Sequence, residues 1–193
     1  MTEGGPLEQL NRWLANAREA GVEAPMAMTL ATADADGRPS ARVVSLKRLE
    51  GDRLVFTTAL WTRKVEELRI NPRVAAVFFW PGLGRQVRVE GRAAIAERGL
   101  AEELFVERPR SHQLQALVSR QGEEIESLDQ LRGRLEAPRA KLGEGAVPCP
   151  EDWGAVRLTP DCVEYWEEGD DRLHRRELFQ ASADGWRQTL LAP

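Results

Sequence analysis

Apolar positions recur along this chain with two periods. Between residues 6 and 20, Leu7, Leu10, Leu14 and Ala17 return at helical spacing; Pro6 suits a first turn and Gly21 an end, so a helix with one packed face is predicted. From residue 26 the period shortens to that of strands. MAMTLATA over 26–33 reads as a strand, the Asp34-Ala35-Asp36-Gly37 turn leads into a second around 40–48, and RLVFTT over about 53–58 makes a third. Thr62 has the hydroxyl to cap a short helix that Asn71-Pro72 stops. RVAAVFFW at 73–80 is apolar on both faces, as a central strand would be. The turn Pro81-Gly82-Leu83-Gly84 sends it back into 85–96, where Val87, Val89, Ala93 and Ile95 alternate with Gln86, Arg88 and Glu90.

A helical middle follows at roughly 97–107, 111–121 and 127–142, punctuated by Arg108-Pro109, Gly122 and Pro138. Its composition is not that of a linker, so 97–142 reads as an insertion packed on the β structure within one domain, 1–193. Strands are then expected near 155–159, 162–167, 172–180 and 186–191. Hairpin-joined strands with helices gathered in blocks imply an α+β, mainly β fold: a closed or nearly closed antiparallel barrel with peripheral helices.

Charge narrows the partners. The chain of 193 residues carries 27 Lys and Arg against 31 Asp and Glu, interspersed, and so lacks the basic stripe that broad nucleic-acid binding needs. Cys149 and Cys162 form no CxxC pair and indicate neither a disulfide framework nor a zinc site; they read as two thiols of a reducing cytosol. The segment MTEGGPLEQL has no basic and apolar leader, and no apolar run reaches membrane-spanning length, so a cytoplasmic protein is expected.

Against that balance, local cations carry meaning. Arg63 and Lys64 follow Thr62 in the first turn of a helix, where they oppose the helix dipole, and an anion such as phosphate would resolve the conflict. Arg172, His174 and Arg176 alternate, so a strand there would project them side by side, as a solvated exterior or as an anion-handling wall in which His174 titrates near neutrality. Arg42 and Lys47 stand five apart, an odd spacing that sends them to opposite faces unless a bulge re-aims one. Gln86 lies on a polar strand face, Trp166 is a core ring or a stacking platform, and Arg108 before Pro109 suits a helix C-terminus. No G-x-S-x-G elbow, Walker loop or G-x-G-x-x-G is present, and His112 and His174 are too few for a histidine-rich metal site. The spacing alone leads to binding of a phosphorylated cofactor or substrate.

Seven motifs then stand in order: RVVSLK at 42–47, TRK at 62–64, RQV at 85–87, RPR at 108–110, VSRQ at 118–121, VEYW at 163–166 and RLHRR at 172–176, ahead of the terminal LAP. With them the chain, from about Leu7 to Pro193, resembles the pyridoxamine 5'-phosphate oxidase family. The resemblance implies a Greek-key-like split β-barrel homodimer with FMN at the subunit interface. It implies cofactor contacts at Arg42, Val43, Lys47, Thr57, Thr58, Arg63, Lys64, Gln86, Gln121, Trp166 and Arg176. Substrate contacts are implied at Lys47, Arg108, His112, Arg172 and His174, the last two also being the catalytic pair against the pyridine ring. The implied reaction moves a hydride from C4' of pyridoxine or pyridoxamine phosphate to flavin N5, with oxygen reoxidising the flavin and giving peroxide. Four positions depart from the family: Leu104 for a phosphate-binding Tyr, His112 for Ser, Gly122 for Ser and Thr57 for an aromatic residue. A related oxidase of another ring, of the phenazine-biosynthesis type, and a non-catalytic barrel that binds flavin or B6 phosphate are the alternatives.

Overall fold

A computed structural model describes residues 5–193. Helix α1 (Pro6–Glu19) precedes strands β1 (Ala27–Ala33), β2 (Pro39–Glu50) and β3 (Arg53–Ala59). Helix α2 (Arg63–Ile70) follows, then β4 (Arg73–Trp80) and β5 (Arg85–Ile95). Helices α3 (Arg98–Val106), α4 (Arg110–Val118) and α5 (Leu128–Leu142) lead to β6 (Trp153–Glu167), β7 (Arg175–Ser182) and β8 (Gly185–Leu191).

The strands run β3-β2-β1-β4-β5-β6-β7-β8, all pairings are antiparallel, and β3 also pairs with β6. That contact closes six strands into a barrel. After the β1–β3 meander, β4 returns beside β1, which is the Greek-key step. Strand β6 pairs with β3 through residues 153–158 and with β7 through 162–167, so the sheet divides along one long strand. Leu30, Phe56, Phe78, Val89, Leu158 and Tyr165 fill the interior, and α1 closes one end with Leu7, Leu10 and Leu14. The Tyr165 hydroxyl donates to the Pro6 carbonyl at 2.6 Å, tying the helix to the barrel, and Trp80 Nε1 donates to the Pro25 carbonyl at 3.0 Å in the connection to β1.

Several expectations change. The strands expected at 155–159 and 162–167 are one, because the pairing with β5 shifts register where Glu90 and Gly91 face Cys162 and Pro160. This bulge absorbs Pro160, which has no N–H to give the ladder. It also requires a glycine: a Cβ on Gly91 would lie 2.2 Å from the Thr159 carbonyl oxygen and 2.7 Å from Pro160 Cα. Gly91→Ala should therefore destabilise the protein by about 3 kcal/mol, measured by urea unfolding. A loss under about 0.5 kcal/mol would mean that the strands part freely there. Strand β4 sits mid-sheet as expected, yet one face only is buried; Phe79 is 58% exposed. The Thr62 hydroxyl donates to the Ala59 carbonyl at 2.8 Å instead of capping α2. Strand β7 begins at Arg175, not Arg172, because Asp171 and Arg172 adopt φ of 54° and 62°, which no strand accommodates. Arg172, His174 and Arg176 are therefore not three alternate residues of one strand.

Candidate active site

Strands β2 and β3, the start of α2, and α4 with the segment after it enclose a cleft of about 330 Å3. It brings together Arg42, Val43, Thr57, Thr58, Lys64, Arg108 and Gln121 from the expected set. Helix α4 ends at Val118, so Ser119 reaches the cleft from extended backbone and Gln121 from the turn after it, rather than from a helix. Lys64 is buried in the first turn of α2, where its Nζ donates to Thr58 Oγ1 at 3.1 Å and Gln121 Oε1 at 3.4 Å. Burial, and then the nearby Arg42, push its pKa down to about 8. Arg42 donates to the Leu30 carbonyl at 3.2 Å, Thr32 Oγ1 at 2.6 Å and Ser40 Oγ at 2.5 Å. Arg63, on the neighbouring helix position, gives its Nε to Glu67 at 2.7 Å and leaves its side chain 64% exposed.

Arg108 lies flat over Trp153, its guanidinium carbon 3.9 Å from the ring centroid, and donates to the His112 carbonyl at 3.2 Å. Burial lowers its pKa. His112 contributes that carbonyl, while the residue is otherwise exposed on α4 and does not line the cleft. Lys47 is the extra residue where β2 shifts register against β3 between Leu46 and Arg48, so a bulge does re-aim it. It lines a neighbouring hollow of about 520 Å3 beside the start of α1 and Trp186, and its pKa falls through burial and then the field of Arg108, with Glu107 opposing. Leu104 is 1% exposed in an apolar cluster with Val55, Leu100, Ala101 and Ala155, and supplies no hydrogen bond.

The remaining expected residues form a second group on β5, β6, β7 and the turn between β6 and β7. Gln86 faces Trp166 across β5 and β6, and Arg176 faces Trp166 from β7. Trp166 packs on His174 with ring centroids 4.8 Å apart at 47°. His174 Nδ1 accepts from the Gly169 N–H at 3.3 Å, which in the neutral ring leaves the proton on Nε2. Arg176 is held by Glu164 at 2.8 Å and the Ala192 carbonyl at 3.0 Å. Arg172 projects from its left-handed turn into solvent. None of these five lines the cleft. The expected residues of one chain thus fall into two separate groups, one with cations around a cleft and one with the Trp166–His174 ring pair.

Three features escaped sequence reasoning. Glu67 stands four residues after Arg63, a helical pair spacing that could have drawn notice. Trp61 and Trp153 also line the cleft, and each has a buried indole N–H with no hydrogen-bond partner. Such donors favour a ligand with acceptor atoms. Among the described residues no group of three His, Cys, Asp or Glu could hold a metal ion, and no helix is long and apolar enough to cross a membrane.

Comparison with known proteins gives the same outline. Residues 14–141 match the family model described as pyridoxamine 5'-phosphate oxidase, and residues 153–193 match the pyridoxine 5'-phosphate oxidase C-terminal dimerisation region. The second group from Trp166 onward falls in that region, which supports a homodimer. The pyridoxine/pyridoxamine 5'-phosphate oxidase of Rubrobacter xylanophilus is 43% identical over 188 residues, 97% of this chain and 87% of that protein. The protein of the same name from Shewanella sediminis is 37% identical, covering 98% and 90%. Among solved structures, PhzG from Burkholderia lata, in complex with tetrahydrophenazine-1-carboxylic acid, superposes with a TM-score of 0.93 at 32% identity over 100% of this chain and 94% of that one. A pyridoxamine 5'-phosphate oxidase-related, FMN binding protein from Nostoc punctiforme shares the fold, with a TM-score of 0.80 at 17% identity and full coverage of both chains. By both family models and by these relatives, the chain belongs to the pyridoxamine 5'-phosphate oxidase family.

Proposed function

We propose that this chain is an FMN-dependent oxidase that converts pyridoxamine or pyridoxine 5'-phosphate to pyridoxal 5'-phosphate, with two subunits each lending one half of the site. The observation that carries this reading is uncompensated positive charge. Among the described residues Lys47, Lys64 and Arg108 form no ion pair with a carboxylate, and burial lowers the pKa of all three. Cations buried or half-buried without an ion-pair partner are costly, and phosphate groups would relieve them. The orphaned N–H groups of Trp61 and Trp153 fit the same cleft to a ligand with many acceptors.

On this reading Arg42, Arg63 and Lys64 hold the cofactor's phosphate, with Thr58 and Gln121 aiming the Lys64 ammonium and Val43 and Thr57 walling the strand side. FMN held by these residues would supply the redox chemistry, a two-electron oxidation of the substrate carbon with oxygen as the final acceptor. Lys47 and Arg108 grip the substrate phosphate, and the stack on Trp153 fixes the direction of the Arg108 fork. The partner subunit's Gln86, Trp166 and Arg176 complete the cofactor site, while its Arg172 and His174 orient the ring and exclude water.

The deciding experiment is to purify the protein, record its visible spectrum and mix it without oxygen with pyridoxamine 5'-phosphate. Bleaching of a yellow protein is the expected result; a persistent oxidised spectrum would count against the oxidase. A second reading, an oxidase of a reduced phenazine-type ring, is favoured by the PhzG likeness and by the burial of Leu104 away from the phosphate grip. Bleaching by a partly reduced phenazine carboxylic acid alone would establish it. Lys47→Ala should raise KM for the phosphorylated substrate about tenfold or more with flavin retained, as loss of a charge-assisted contact does. Flavin loss with unchanged KM would move Lys47 to the cofactor.

A further inference from the structure

A buried carboxylate sits behind two of the cations proposed to hold phosphate. Glu67, in the second turn of α2, has a side chain only 4% exposed. It accepts from Thr32 Oγ1 of β1, from Ser40 Oγ of β2 at 2.7 and 3.0 Å, and from Arg63 Nε at 2.7 Å, with Arg42 Nη2 at 3.5 Å. An anion in this position lowers the local positive potential. Its presence calls for an explanation other than affinity by charge alone.

The directions of the bonds supply one. Glu67 takes the Nε of Arg63, so both terminal nitrogens of that guanidinium remain directed outward with no partner among the described residues. A guanidinium keyed at Nε can still present its fork to an oxyanion. Arg42 is fixed from the other side: Nη1 donates to the Leu30 carbonyl and Thr32 Oγ1, and Nη2 to Ser40 Oγ and Glu67. The carboxylate and its two hydroxyl partners thus tie β1, β2 and α2 together beside Arg42, which lines the cleft, and Arg63, which stands exposed next to it. Burial acts to raise the pKa of Glu67, but bonds from Thr32, Ser40 and Arg63 outweigh it and hold it at about 2, so the network stays charged through neutral pH.

We propose that Glu67 is a positioning residue that presents the Arg63 fork to a phosphate with Arg42 locked beside it, and so makes the site select a phosphorylated flavin over an unphosphorylated one. The inference rests on the FMN reading. It deepens that reading by assigning the discrimination to a residue that does not itself touch the phosphate.

The test is the ratio of dissociation constants for riboflavin and FMN, measured by fluorescence quenching on apoprotein of wild type and Glu67→Gln. Glutamine keeps the shape and removes the charge. FMN affinity should fall about tenfold, the scale of one charge-assisted hydrogen bond, while riboflavin affinity stays within about twofold. In an Arg63→Ala background the same substitution should change the ratio by less, because the two residues act as a unit. A variant that fails to fold by thermal melt is replaced by Glu67→Asp, whose shorter reach predicts the same loss of ratio. An unchanged ratio, or a full-sized loss persisting without Arg63, overturns the role of Glu67. Wild-type protein that binds no FMN overturns the cofactor reading instead.

Discussion

Arg172→Ala should lower kcat/KM for the phosphorylated substrate by about 100-fold or more while leaving flavin bound, the loss expected when a group that orients the reacting carbon is removed. The expectation starts from backbone geometry. Asp171 and Arg172 both stand at positive φ, 54° and 62°, a conformation that costs a side-chain-bearing residue about 1 kcal/mol or more. The turn before them is tight, since a Cβ on Gly169 would lie 2.4 Å from the Leu173 carbonyl oxygen. A strained turn that carries an exposed arginine beside the Trp166–His174 pair is better explained by what the arginine reaches than by what it stabilises. Arg172→Gly separates the two roles. Glycine accepts positive φ, so this variant should be about 0.5–1 kcal/mol more stable than Arg172→Ala yet equally inactive. Near-normal turnover in either variant would remove Arg172 from the ring-orienting role and leave His174 alone there.

The early part of the chain was readable because its periods are uninterrupted: α1 and the strands from β1 to β5 lie within a few residues of their expected bounds. Later, single residues defeat local reasoning. Pro160 reads as a break, and only the pairing of Gly91 opposite it lets β6 continue. The left-handed Asp171-Arg172 pair has no side-chain signature, so the alternation of Arg172, His174 and Arg176 looked like a strand face. The Arg42–Lys47 spacing left a bulge open as one of two solutions, and the register shift at Lys47 selects it. For Glu67, only the pairing with Arg63 could be read from spacing. Its hydrogen-bond partners Thr32 and Ser40 lie 35 and 27 residues away and become neighbours only when β1, β2 and α2 pack.

On the proposed reading, the separation of the two groups of residues has the largest consequence. Lys64 and Arg108 lie on the β2, β3 and α4 side, whereas Arg172 and His174 lie beyond the end of β6, inside the region matched as a dimerisation segment. A two-fold dimer repeats every contact, so each cleft that receives the partner subunit's Arg172 is matched by a second that receives the reverse. Exposed apolar residues on the barrel, Val43 at 68% and Phe79 at 58%, are surfaces such pairing would cover. A subunit lacking Arg108 and a subunit lacking Arg172 are then each inactive as homodimers for different reasons. Mixed, unfolded together and refolded, they should regain activity. Random pairing makes half of the dimers mixed, and each of those holds one intact site and one doubly damaged site, so about a quarter of wild-type activity is expected. The same two substitutions placed on one chain and refolded with wild-type chain give a contrasting result: every mixed dimer has two sites, each damaged once, so activity falls to the wild-type homodimers alone, about a quarter, from the half that the wild-type chain supplied before mixing. Recovery from two inactive parents is the signature of a shared site. Absence of any recovery, with mixed dimers verified by mass, would mean that each chain completes its site alone and that the second group closes over the cleft by movement within one subunit.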